Sequence, residues 1–138
     1  MTTPALSTIL PREMAEFRFR PLFIFVIDVA KPSIIGKTPG VERRVGEITG
    51  GRFEGERLKG KILSGGSDWQ AVRSDGTWAL DVRFVMETDD GHLIGMTYRG
   101  LRHGPKDVID AITRGEEVSP SAYYFRVAPF FETASEKY

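Results

Sequence analysis

Ser74-Asp75-Gly76-Thr77-Trp78-Ala79-Leu80-Asp81-Val82-Arg83-Phe84-Val85-Met86-Glu87-Thr88-Asp89-Asp90-Gly91-His92 is the stretch that decides the fold. Leu80, Val82, Phe84 and Met86 alternate with Asp81, Arg83, Val85 and Glu87, the period of two that a pleated strand imposes on its side chains. An Asp-Gly pair stands on each side, Asp75-Gly76 before and Asp90-Gly91 after. Asp-Gly between alternating segments signals a hairpin, because both central residues can reach positive φ. Trp69–Arg73, Trp78–Thr88 and His92–Leu101 are therefore expected to form a three-strand antiparallel meander.

Working outward, the same punctuation continues. Toward the N-terminus, Phe17, Phe19, Phe23, Phe25 and Ile27 recur at period two, which predicts a long strand from Glu16 to Val29, bent near Pro21. Residues 1–15 are weakly patterned and read as an N-terminal arm, leaving 16–138 as one barrel domain. Residues 30–43 read as a loop, Val45–Thr49 as a short strand ending in Gly50-Gly51, and Leu58–Leu63 and Asp68–Arg73 as further strands. Toward the C-terminus, Asp107–Arg114 is the one plausible helix, Ser121–Val127 a strong strand and Phe130–Thr133 a further one. Roughly eight strands with one short helix at most must close or double over to hide their edges, so the expected fold is an all-β antiparallel small barrel.

The 138 residues suffice for one core without staples. Nineteen basic residues balance nineteen acidic ones, which argues against nucleic acid and against a polybasic membrane anchor. No cysteine is present, which excludes disulfides, zinc–thiolate sites and cysteine nucleophiles. The longest apolar run, Leu22–Ile27, is far short of the about 20 residues that span a bilayer. Pro4, Pro11, Glu13 and Glu16 occupy the region where a signal peptide would be apolar. The expected location is the cytoplasm.

The standard catalytic templates do not fit. Ser64-Gly65-Gly66-Ser67 has the wrong spacing for a nucleophile elbow. Gly50-Gly51-Arg52-Phe53-Glu54-Gly55 lacks the Lys-Ser/Thr of a phosphate loop. His92 and His103 have no partner at metal-ligand spacing, and Asp89-Asp90-Gly91 lacks the ligand ladder of a calcium loop. The expectation is no metal and no cofactor.

Several segments nevertheless follow one another in a recognisable order: Gly50-Gly51, Phe53-Glu54-Gly55, Gly65-Gly66-Ser67-Asp68-Trp69-Gln70, Asp75-Gly76, Asp81 with Arg83, Thr88-Asp89-Asp90-Gly91, Gly100 with Arg102, Gly104-Pro105, Tyr123-Tyr124-Phe125-Arg126 and Phe131-Glu132-Thr133. Together they resemble a family of small bacterial and fungal proteins catalogued as a domain of unknown function, from Pro21 to Tyr138. The resemblance implies an antiparallel barrel of the allene-oxide-cyclase type and implies no particular chemistry. The family pattern continues past the last tyrosine with Trp-Leu-Asn, whereas this chain ends at Tyr138. It also has Ile-Tyr-like residues where this chain has Gly95-Met96, which implies a pocket of different shape.

Alternation places Asp81 and Arg83 on one strand face, and Tyr124 and Arg126 on one face of another. The polar face is either wet or turned into a barrel mouth, as small barrels allow. In the second case Asp81, Arg83, Tyr124 and Arg126 would converge as a catalytic group, with Asp68, Trp69, Glu132 and His103 contacting substrate. Aspartate is the ready base, arginine a fork for an oxyanion and tyrosine a hydroxyl donor. The function expected is binding of a small hydrophobic carbonyl or phenolic compound, with cofactor-free isomerisation, cyclisation or elimination by general acid/base chemistry. Non-catalytic binding of such a molecule and a purely structural, oligomer-forming role are the alternatives. Phe17, Phe19, Phe23 and Phe25, with Leu22, Ile24 and Val26 between, also suggest that the first strand is covered by a neighbouring subunit in a homo-oligomer or by the N-terminal arm.

Overall fold

Gly76 and Gly91 make the two central turns, with φ of 82° and 86°. Among the described residues no residue other than glycine has positive φ. Each Asp-Gly pair thus closes its hairpin with only the glycine in the left-handed region, rather than both central residues; the turn is the longer kind that ends in a left-handed glycine. Arg73 and Thr77 close the first through an N–H···O bond of 2.9 Å, and Thr88 and His92 the second at the same length. Asp75 Oδ1 accepts the Thr77 N–H at 2.9 Å inside the first turn.

The computed structural model describes residues 5–138; residues 1–4, part of the expected arm, lie outside the described residues. In chain order the elements are α1 (Arg12–Ala15), β1 (Ile24–Val29), β2 (Ser33–Thr38), β3 (Val41–Glu54), β4 (Lys59–Ile62), β5 (Gly66–Val72), β6 (Trp78–Thr88), β7 (Leu93–His103), α2 (Lys106–Thr113) and β8 (Tyr124–Glu132). All strand pairs are antiparallel. The sheet order is β1-β3-β4-β6-β7-β8, with β2 on β3 and β5 between β3 and β6. The sheet rolls into a barrel. Among the described residues no ladder joins β8 back to β1 or β2; side chains meet across that seam, with the Phe23 and Phe131 rings 5.9 Å apart.

Four elements differ from the sequence reading; in one of them Ser121–Val127 and Phe130–Thr133, read as two strands, form the single β8. The first strand starts at Ile24, not Glu16: Pro21 has no N–H for a ladder, and Phe17 and Phe19 stand 94% and 93% exposed in the lead-in segment. Residues 33–38, read as loop, form β2. Gly50-Gly51, read as the end of a short strand, lies inside the fourteen-residue β3. There the register against β1 shifts, so that Asp28 faces Gly50 and Val29 faces Ile48. Gly51 has φ of 143°, and a Cβ on it would come within 2.2 Å of the Val26 carbonyl. At this bulge β3 bends and exchanges β2 and β5 for β1 and β4 as neighbours, which lets one strand serve both ends of the barrel.

Burial alternates cleanly along β6. Trp78, Leu80, Val82, Phe84, Met86 and Thr88 are buried, and the residues between them are not. Register carries that phase to Ile94, Met96 and Tyr98 of β7 and to Gln70 of β5. Leu80, Val82, Phe84, Met86, Ile94, Met96 and Tyr98 form the core with Ile48, Phe53 and Ile62, and Phe23, Phe25, Ile27, Leu58 and Val127 pack against it. The outer face of β1 keeps Ile24 and Val26 exposed. Among the described residues no helix is long and apolar enough to cross a membrane.

Candidate functional site

The interior wall changes character along the barrel. At the end where β6 finishes and β7 begins, Met86, Ile94 and Phe53 are apolar and buried. Toward the other end the same inward phase carries Tyr98 and Arg102 on β7, Asp68 and Gln70 on β5, and Glu42 and Arg44 on β3. The ladder pairs Asp68 with Val82 and Val82 with Tyr98; one step on, Gln70 meets Leu80, and beyond it Arg102 meets Trp78. On the β3 side Arg44 pairs with Gln70 and Gly46 with Asp68.

These groups are incompletely satisfied. Gln70 Nε2 donates to Asp68 Oδ2 at 2.7 Å. Asp68 Oδ1, Gln70 Oε1 and Arg102 Nε are buried with no hydrogen-bond partner among the described residues. Such atoms are costly to leave unpaired and are uncommon. Arg44 spends its charge on Glu42 at 2.7 Å, and its guanidinium lies 5.0 Å from the Trp78 ring centroid. Arg102 lies 4.6 Å from the same centroid and 6.0 Å from that of Phe125. Two guanidinium groups thus lie against the Trp78 ring at this end.

Burial pushes the Asp68 carboxyl above its ordinary value, against the Gln70 hydrogen bond and the Arg102 charge, which pull it down. Burial likewise lowers the Arg102 guanidinium, opposed by Asp68, Tyr123 and Tyr98. The Tyr98 phenol is pushed up, first by burial and then by the Asp68 charge. Asp68 and Arg102 therefore feel each other through the low-dielectric interior, yet among the described residues they form no direct ion pair. An acid/base group, a fixed cation and a phenol share one wall with bonding capacity unspent.

The residues expected from sequence are distributed differently. Asp81 and Arg83 point outward, because β6 buries its other phase; Asp81 meets Arg99 at 3.4 Å and Arg83 at 3.9 Å. Tyr124 and Arg126 also lie on the outer face, since Phe125 and Val127 pair with the inward Arg102 and Gly100. The Arg126 guanidinium stacks over Tyr124 at 5.4 Å. The four thus do not converge on a common cavity. Trp69 is outward and 45% exposed. His103 sits at the rim, its Nδ1 3.0 Å from Thr77 Oγ1. Glu132 lines a cavity at the apolar end. Of the expected residues, Asp68 alone enters the polar cluster. Gln70, Tyr98, Arg102, Arg44 and Trp78 were missed as site residues, although Arg102 falls in the same β7 phase as Ile94 and Met96, and that was the signal. Among the described residues no cluster of metal-ligating side chains occurs.

A rolled antiparallel sheet of eight strands defines a class, the small β-barrel, here with a partly polar inner wall. Within it, residues 17–138 match the family described as protein of unknown function (DUF3237), and the chain belongs to that family. A UPF0311 protein of Clostridium acetobutylicum is 42% identical over 124 residues, which cover 89% of this chain and 78% of that one. The crystal structure of a β-barrel-like protein from Acinetobacter baumannii has a TM-score of 0.66 at 38% identity, covering 87% of this chain and 82% of its own. An enzyme from Penicillium herquei has a TM-score of 0.57 at 19% identity over 88% of this chain and 80% of its own, a likeness of fold alone.

Proposed function

We propose that the protein binds a small hydrophobic carbonyl or phenolic compound inside the barrel and turns it over without a cofactor, by general acid/base chemistry on the Asp68–Tyr98–Arg102 wall. The observation that carries this reading is the set of unpartnered buried atoms, Asp68 Oδ1, Gln70 Oε1 and Arg102 Nε. A ligand oxygen set between Arg102 and Tyr98 would be polarised by a permanent cation and a hydroxyl donor. Ionised Asp68 then takes a proton from the carbon beside the carbonyl, and the electron pair moves onto the oxygen as an enolate. Return of the proton to another carbon completes an isomerisation, and the same transfers serve a cyclisation or an elimination. Gln70 holds Oδ2 and so aims Oδ1 at the ligand. A carboxyl raised by burial is a stronger base when ionised and a usable acid when protonated.

Proton exchange tests this directly. The methylene protons of β-tetralone, followed by NMR in deuterated water, should exchange faster with the protein than with buffer. Asp68→Asn should lower that excess by about 100-fold or more, and Arg102→Met should lower it as well. Saturable tetralone binding without exchange would reduce the proposal to a carrier. Neither binding nor exchange, across tetralone and a set of naphthols, would refute it.

A further inference from the structure

The barrel's other mouth holds a second feature that the acid/base wall does not use. A cavity of about 440 Å³ opens there, floored by Phe23, Leu58, Met86, Ile94 and Phe131. That volume lies within the range of sites for small organic ligands, and so does an apolar floor with few polar groups at the edge. The C-terminal segment forms its roof. Thr133 Oγ1 donates to the Leu93 carbonyl at 2.7 Å, and Lys137 Nζ bonds to Asp90. Tyr138 Oη donates to Asp90 at 3.1 Å and its ring meets His92 edge-on at 5.5 Å. The roof is thus tied to the β6–β7 turn by three side chains.

Charge at the rim selects the ligand. Lys137 is neutralised by Asp90. Arg57 lines the cavity and forms no ion pair among the described residues. Glu132 lies on the same rim, folded over Gly95 with its Cγ 3.0 Å from where a Cβ there would stand. Among the described residues Arg57 is thus an unpaired cation at this rim, and with Glu132 beside it the rim accommodates a single negative charge and repels a second. From this combination we infer that the cavity binds an aromatic or branched aliphatic monocarboxylate, with its apolar body on Met86, Ile94 and Phe131 and its carboxylate at Arg57. Arginine suits that role because its planar fork matches a carboxylate.

The site is separate from the Asp68 wall, and its test does not need turnover. The probes are naphthoate and its neutral counterpart naphthalenemethanol, titrated into the full chain labelled with carbon-13 at the methionine methyl groups. Met86→Leu assigns the reporter by removing its resonance. Naphthoate should shift the Met86 methyl saturably, and should do so equally in Asp68→Asn. Arg57→Gln should weaken naphthoate about fivefold, the scale of one partly exposed charge pair, and leave naphthalenemethanol within about twofold. An unshifted Met86 methyl with either probe would overturn the site. Equal effects of Arg57→Gln on both probes would overturn the carboxylate assignment.

Discussion

Asp68→Asn should make the protein more stable at neutral pH while abolishing the proposed chemistry. Burial is the largest influence on this carboxyl and raises it above its ordinary 3.8. Between the unfolded and folded values the native state holds a proton that the unfolded chain has released. The stability this group supplies is therefore fully present below the unfolded value and is lost as pH rises through the folded one. When ionised, the wild-type carboxylate is partly desolvated, and among the described residues its Oδ1 has no partner. Asparagine is uncharged at every pH and can still accept the Gln70 N–H. The gain comes from removing a partly desolvated charge, since the amide nitrogen takes the unpartnered place of Oδ1, and is about 1 kcal/mol, or about 4 °C in Tm for a chain of this size. Urea and thermal melts of both proteins should show that difference at neutral pH and little of it below the ordinary carboxylate range. A less stable Asp68→Asn at neutral pH would refute the reasoning. It would mean that attraction to Arg102 outweighs desolvation and that the cluster locks the barrel. A variant both more stable and inactive is the pattern of a site held at the expense of stability.

Asp81→Asn should change stability by less than about 1 kcal/mol, because its ion pairs with Arg99 and Arg83 are well exposed; it should leave tetralone exchange intact, and a large loss of either would return Asp81 to the site. Gly51→Ala should cost roughly 2–4 kcal/mol in urea melts, from the strained φ and the clash with the Val26 carbonyl; near-wild-type stability would show that β3 bends without the bulge. Lys137→Ala should raise the Asp90 carboxyl toward its ordinary value, since the Lys137 hydrogen bond is the largest influence holding it down, ahead of Thr88. The stabilisation from Asp90 is present above the ordinary carboxylate range and lost as pH falls below it; a carboxyl NMR titration unchanged in the variant would refute the roof contact.

The fold was legible where turn chemistry and alternation coincide. The Asp75-Gly76 and Asp90-Gly91 turns, the strands they join and the helix near Asp107 follow from local physics that the rest of the molecule does not override. The elements around β2 and β3 were hidden because their glycines look like turn residues. Gly50-Gly51 serves a bulge in a continuous strand, a choice made by the partners on either side and not by the pair itself. Pro129 misled in the opposite way. It falls between Ser121–Val127 and Phe130–Thr133, read as two strands, but β8 is an edge strand, where a missing N–H is tolerated, and it runs through to Glu132. For the site, alternation gave the two faces of β6 without saying which faced inward. The apolar phase did, so Asp81 and Arg83 are wet. The useful irregularity lay elsewhere: Arg102 and Asp68 are charged residues on inward phases, and only cross-strand register puts them on one wall.

The seam between β1 and β8 bears on how wide this barrel can be. In a fully laddered barrel, strand number and stagger fix the circumference, and changing it means breaking a row of hydrogen bonds. Here one join in the ring is made by rings such as Phe23 and Phe131, whose contacts slide at small cost. The girth of the interior is thus adjustable at one longitude while every backbone ladder stays intact. Parting β1 from β8 would widen the interior without breaking any of the ladders that join the other strands.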